Sequence, residues 1–293
     1  MQMRLRSVLG AMTTVAMGAA MGPVLSGSAA GAATAPAAAA ASAAGYWEVA
    51  SDGGIFSFGS AAFHGSMGGT HLNAPIVGMA ADPVTGGYWE VASDGGIFSF
   101  GAPFHGSLGG THLNAPIVGM AATPTGGGYW LAAADGGVFT FGNAGFYGSM
   151  GGKALRQPVS GIAASPSGKG YELVAKTGEV YAFGDAVSSC TGYLAEAGHW
   201  IGIATDPVTT GYWVVASNGG IVGCQGAPVG LGTPGATPLN APVVGMAATH
   251  DGGGYWEVAA DGGIFAYGDA AFEGSMGGMH LNRPIVGMAV APG

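Results

Sequence analysis

Charge is scarce in this chain: only 8% of its 293 residues are Asp, Glu, Lys or Arg, and only seven of those are basic. Two of the seven, Arg4 and Arg6, stand at the extreme N-terminus, which leaves five basic against sixteen acidic residues, a net charge of −11 with neutral histidines. A surface of that sign repels polyanions, so nucleic acid is excluded as a partner. Long apolar runs are also missing beyond residue 25, because Gly, Pro or a charge interrupts each one, and no later segment is suited to cross a bilayer. Amphipathic stretches of helical period are absent, which excludes helix from the body of the protein. The sequence contains no Walker loop, HExxH, CxxC, EF-hand or sialidase-type Asp/Arg set. No cofactor and no metal is expected, and no catalytic residue stands out.

What is abundant is glycine, 60 residues, with 16 prolines and a 48% hydrophobic content. Gly and Pro together make up about a quarter of the chain, a low-complexity composition unless a period organises it. Before that period begins, residues 1–32 read as a signal peptide. Met1 to Arg6 form a basic start, residues 7–25 an apolar stretch, and Ala30-Gly31-Ala32 or Ala33-Thr34-Ala35 a small-residue cleavage site. Residues 33–44 are nearly all alanine and form a linker. The expected address is secreted, extracellular and associated with the cell wall, with no stable membrane insertion after cleavage.

Residues 45–293 hold six copies of one unit. Gly-Tyr opens each, with the tyrosines at Tyr46, Tyr88, Tyr129, Tyr171, Tyr212 and Tyr255, spaced by 42, 41, 42, 41 and 43 residues. That length suits one four-stranded propeller blade. Across the second and third copies, strand A is 117–122, strand B 129–133 and strand C 138–141, with Asp135-Gly136-Gly137 supplying the B-to-C hairpin, and 146–150 is read as a short strand D. The first copy begins at strand B and the last ends with a strand A, so the array is circularly offset. A C-terminal strand A pairing with the first copy's B, C and D would complete a blade and leave no free edge. The expected fold is therefore all-β: a six-bladed β-propeller of four-stranded antiparallel blades, closed by the C-terminal strand. Phe56, Phe58, Phe98, Phe100, Phe139, Phe141, Phe265 and Tyr267 should fill the wedges between blades, and Trp47, Trp89, Trp130, Trp213 and Trp256 share one core position.

The run Gly-Tyr-Trp-x-Val-Ala-Ser-Asp-Gly-Gly-Ile-Phe-x-Phe-Gly, at residues 45–59 and 87–101, resembles the repeat of secreted actinobacterial proteins. Strand A and its turn, as in Val118-Gly-Met-Ala-Ala-Thr-Pro, are similar in rhythm to NHL-type propellers. The resemblance implies a propeller fold and an extracellular address, and no chemistry. Copy four departs from it, with Glu172 at the Trp position.

Several residues could be mistaken for machinery. Ser66, Ser107, Ser149 and Ser275 have His, Tyr or Glu two residues upstream where a nucleophile elbow needs Gly, and read as structural. His71, His112 and His280 hold one repeat position in copies one, two and six, too far apart on packed sheets to share a metal except near the axis. Glu48, Glu90 and Glu257 recur in strand B of the same copies, consistent with recent duplication. Strand parity puts the B-to-C turns and D-to-A connections on one face. That face would gather Asp135 and nine candidate binding residues, Asp52, Asp94, Asp261, His71, His112, His280, Asn73, Asn114 and Asn282, suited to a neutral polyhydroxylated ligand. Cys190 and Cys224, the only cysteines, fall in strand D of copy four and strand C of copy five, where aromatic packing has been lost. A disulfide between them would contribute about 3 kcal/mol. The expected function is a non-catalytic binding or scaffolding module recognising a cell-envelope glycan or surface protein. The alternatives are a polysaccharide hydrolase or lyase with its site at the channel mouth, and a structural surface component.

Overall fold

The computed structural model describes residues 45–188, 190, 199–234 and 238–293. The expected signal peptide and linker, residues 1–44, lie outside them. The described residues contain strands and turns but no helix, and so no helix long and apolar enough to cross a membrane.

In chain order the strands are β1 (Tyr46–Ala50) and β2 (Ile55–Phe58), then β3 (Ile76–Ala81), β4 (Tyr88–Ala92) and β5 (Ile97–Phe100). Next come β6 (Ile117–Ala122), β7 (Gly128–Ala133) and β8 (Val138–Gly142), followed by β9 (Val159–Ala164), β10 (Gly170–Ala175) and β11 (Val180–Gly184). The last are β12 (Trp200–Thr205), β13 (Tyr212–Ala216) and β14 (Ile221–Cys224), β15 (Val243–Ala248), β16 (Gly254–Ala259) and β17 (Ile264–Gly268), and β18 (Ile285–Val290). They form six antiparallel sheets of three strands, five built from consecutive strands and the first from β18, β1 and β2. Tyr46 pairs with Val290 on one side and Phe58 on the other, so the C-terminal strand completes the first sheet.

Every middle strand is buried along its whole length, because each sheet is covered on both faces by its neighbours. The inner strands β3, β6, β9, β12, β15 and β18 run side by side around a common axis, and β18 returns to β3. Each carries a glycine there: Gly78, Gly119, Gly161, Gly202, Gly245 and Gly287 all line an axial cavity of about 120 Å³. A Cβ on Gly161 would stand 3.2 Å from the Gly202 Cα and one on Gly245 3.3 Å from the Gly287 Cα, so at these two points the inner strands approach closely because the residue is glycine.

The opening Gly-Tyr-Trp has a mechanical meaning. Each tryptophan packs on the tyrosine of the next sheet, with ring centroids 5.0 Å apart for Trp47 and Tyr88, and the same pairing crosses the chain ends as Trp256 and Tyr46 at 5.6 Å. Each indole also ties down its own sheet's outer segment: Trp47 Nε1 donates to the Ala62 carbonyl at 2.9 Å. The tyrosine holds the preceding sheet's outer segment. Tyr88 donates to the Gly65 carbonyl at 2.6 Å and accepts from the His64 amide at 3.1 Å, and Tyr46 does the same for Gly274 and Glu273.

The fourth strand expected in each blade does not form among the described residues, and the sheets have three strands. The reason lies in those same bonds. The outer segment spends its polar groups on the Tyr hydroxyl and the Trp indole rather than on a ladder, and Gly65, at φ 128°, leaves the strand conformation. Phe63, Phe104, Phe146 and Phe272 consequently face solvent.

That glycine also receives an aromatic ring. A Cβ on Gly65 would lie 2.7 Å from Phe100 of the next sheet, and Gly106 with Phe141, Gly148 with Phe183, Gly232 with Tyr267 and Gly274 with Phe58 repeat the contact. The junction between sheets four and five has Cys190 and Cys224 in these two places, and they are bonded, with Cα atoms 4.8 Å apart. A covalent link thus replaces the ring-on-glycine contact found at the other five junctions. Closing a loop across a separation of 34 residues contributes roughly 3–4 kcal/mol. Reduction is expected to lower the melting temperature by roughly 10 °C. The double variant Cys190→Gly/Cys224→Phe should recover part of that loss and Cys190→Ser/Cys224→Ser none, as read by calorimetry with and without reductant.

Candidate functional site

The B-to-C turns all lie on one face, because every middle strand runs toward it and every outer strand returns from it. The connections that follow the outer segments end on the same face, where the Ile76 amide donates to the Ser51 carbonyl at 3.0 Å and the Ser51 amide to the Pro284 carbonyl at 2.9 Å. This face carries all nine candidate binding residues.

Their roles differ. Asp52, Asp94 and Asp261 each accept, through Oδ1, the amide of the glycine two residues on, at 3.1, 2.9 and 3.0 Å, and Asp135 does likewise with Gly137 at 3.0 Å. One oxygen of each half-buried side chain is thus committed to the turn. His71, His112, His280, Asn73, Asn114 and Asn282 are all exposed. The structure brings two of the nine into a common cavity. Asn73, Asp94 and Ser107 line a depression of about 230 Å³ between the first and second sheets, floored by Ile97 and Phe98. The histidines do not line it. Among the described residues no three His, Cys, Asp or Glu side chains come close enough to hold a metal ion.

Beneath this face lie residues whose burial sequence reasoning missed. Glu48, Glu90 and Glu257 are completely buried, and neither oxygen of any of them makes a hydrogen bond. Each reaches from its middle strand under the B-to-C turn of the preceding sheet. A Cβ on Gly53 would stand 2.8 Å from Glu90 Oε2, and Gly262 and Gly219 stand in the same relation to Glu48 and Glu257. Burial pushes all three carboxyls up to about 8, opposed for Glu90 by the Met67 amide and for Glu48 by the Met276 amide. Asp52 adds to the rise for Glu90, and Asp261 for Glu48. The available signal was the Tyr-Trp-Glu-Val-Ala run, where a carboxyl sits inside a strand apolar on both faces.

The axial channel is walled by Gly, Met, Ile and Val and holds no titratable side chain. The acids needed by a hydrolase or lyase at its mouth are therefore not supplied by the channel wall.

No family model matches the chain, and no curated protein does. Its backbone is similar to a chain in the crystal structure of a nidogen/laminin complex, with a TM-score of 0.57 and 12% sequence identity, over 85% of this chain and 98% of the other. Sheets arranged radially about a channel and this likeness define the class: an all-β, β-propeller-like repeat protein. Within it, the described residues of this chain form six three-stranded sheets, the first completed by β18.

Proposed function

We propose that the chain is a secreted, non-catalytic binding module that engages a cell-envelope glycan or a protein bearing one, through the face of the B-to-C turns. The observation that carries this is the cavity shared by Asn73, Asp94 and Ser107, in which an amide, a carboxylate and a hydroxyl surround an apolar floor. Such an arrangement suits a sugar, whose hydroxyls donate and accept and whose ring carbons cover Ile97 and Phe98. The acidic net charge of the chain disfavours anionic ligands on the same face. The structural relative belongs to a nidogen/laminin complex, and use of this fold as a recognition module is carried over as part of the proposal.

Retention on purified cell-wall material tests it. The variant Asn73→Ala/His71→Ala/His112→Ala/His280→Ala touches no turn hydrogen bond and should keep its melting temperature. Its retention should fall by about tenfold, equivalent to roughly 1.4 kcal/mol. Unchanged retention with intact folding would remove this face from the proposal.

A further inference from the structure

The aromatic ladder is broken once. At the fourth sheet the position of the tryptophan is held by Glu172, so the indole that elsewhere fills the junction and packs on the next tyrosine is missing. In its place the structure has a pocket of about 360 Å³ between the fourth and fifth sheets, on the face opposite the B-to-C turns. Ser165, Ser167, Glu172, Asp185, Val208 and Thr209 line it. Glu172 is 1% exposed, and its Oε2 has no hydrogen-bond partner. Behind it, the Tyr212 hydroxyl likewise has no partner among the described residues. Where the other junctions present an indole N–H donor, this one presents a buried acceptor.

The polar inventory is one-sided. Asp185 accepts from the Ser165 hydroxyl at 2.8 Å and from the Ser167 hydroxyl, and these bonds hold its carboxyl below the usual range and ionised. Thr209 donates to Asp206 at 2.7 Å, which occupies its hydrogen. The carboxylates at this site therefore have more acceptor capacity than the neighbouring hydroxyls fill. We propose that this pocket is a binding site for a primary ammonium group on a short aliphatic stem, its charge on Glu172 and Asp185 and its methylenes along Val208. The volume lies in the range of small-molecule sites. A lysine side chain of a partner protein and a free alkylamine share this chemistry. The inference concerns the opposite face from the proposed glycan site and stands or falls without it.

Glu172 competes for a proton, since burial, with Asp185 adding to it, raises its carboxyl to about 7 against the opposing Val187 amide. The other titratable groups nearby are the Tyr212 hydroxyl, raised to about 12, Asp206, which is buried and accepts from the pocket's Thr209, and Lys169, whose charge lies beside Asp185. Ionisation of Glu172 is thus the titration that should govern cation binding between pH 6 and 8.

The test is titration of the full chain with n-butylammonium, followed by NMR or calorimetry, with n-butanol as the neutral isostere. Butylammonium should bind, about tenfold more tightly at pH 8 than at pH 6, and butanol should not. Glu172→Gln should weaken binding by at least about tenfold. Glu172→Trp, which restores the repeat's own residue, should abolish it. Glu172→Gln keeps the shape of the side chain and decides the matter should the tryptophan variant fail to fold. A capped Gly-Lys-Gly peptide that binds at least as well as butylammonium would identify the source as a protein lysine, and its exclusion a free amine. Binding unchanged in Glu172→Gln, equal binding of butanol, or no binding to the native chain would overturn the proposal.

Discussion

Deleting residues 285–293 is expected to abolish the single cooperative unfolding transition of the repeat domain. The deletion removes β18, the inner strand of the first sheet, and with it buried Ile285, Met288 and Ala289. Large side chains of this kind contribute about 1.5–3 kcal/mol each on full burial. The loss also strips the pairing partner from β1, all five of whose residues are buried, and removes Gly287 from between β15 and β3 at the axis. These terms together are comparable with the roughly 5–15 kcal/mol that holds an ordinary domain folded. Thermal melts followed by circular dichroism provide the check. A truncated chain that melts in one sharp transition at the full-length temperature would show that the ring does not depend on its last strand.

A second large effect should come from the three buried glutamates. Their folded-state values of about 8 lie well above the ordinary 4.5 that they regain on unfolding. Between these limits the folded chain binds protons that the unfolded chain has released, so stability must fall as pH rises from about 4.5 to about 8 and level off above. Each unit of difference is worth about 1.4 kcal/mol per group, before relaxation of the site reduces it. We expect the melting temperature at pH 9 to lie roughly 10 °C or more below that at pH 5. The protein supplies the control, because sheets three and five have Leu131 and Val214 at the same position. Glu48→Leu/Glu90→Leu/Glu257→Leu should raise stability at pH 8–9 and flatten most of the slope, leaving the share due to Glu172. Replacing even a buried ion pair with apolar residues of similar volume is often neutral or stabilising by about 1–4 kcal/mol, and an unpaired carboxylate has no partner's attraction to lose. A triple variant that keeps the full pH dependence would show that these carboxyls are solvated.

How much of this was legible beforehand depended on whether a residue's role was local. The Tyr period, the Asp-Gly-Gly hairpins and the leftover strand A at residues 285–290 announce strands A, B and C and their offset, because hairpin chemistry is written in adjacent residues. Strand D was misread because 146–150 looks like an apolar strand, whereas its fate is decided by a Tyr hydroxyl on the next copy, about 23 residues away. The pairing of Cys190 with Cys224 could be read because repeat alignment places both on one junction. Alignment likewise placed the candidate binding residues on one face, but only coordinates could separate Asn73 and Asp94, which share a cavity, from the histidines, which do not. Glu172 was visible as a departure from the repeat, yet a departure does not reveal that it leaves a pocket.

The glycines at the axis bear on how many repeats such a chain can have. With six sheets the inner backbones already approach to the point where one added carbon at Gly161 would press on Gly202. Losing a repeat would drive the remaining glycines into one another, while gaining one would widen the axis and leave a void that glycine has no atoms to fill. Duplication of the 42-residue unit, easy at the level of the gene, is therefore checked by a single side-chain position. An array with more copies should carry a larger residue where Gly78 and its five equivalents stand, and one with fewer copies has no smaller residue to offer.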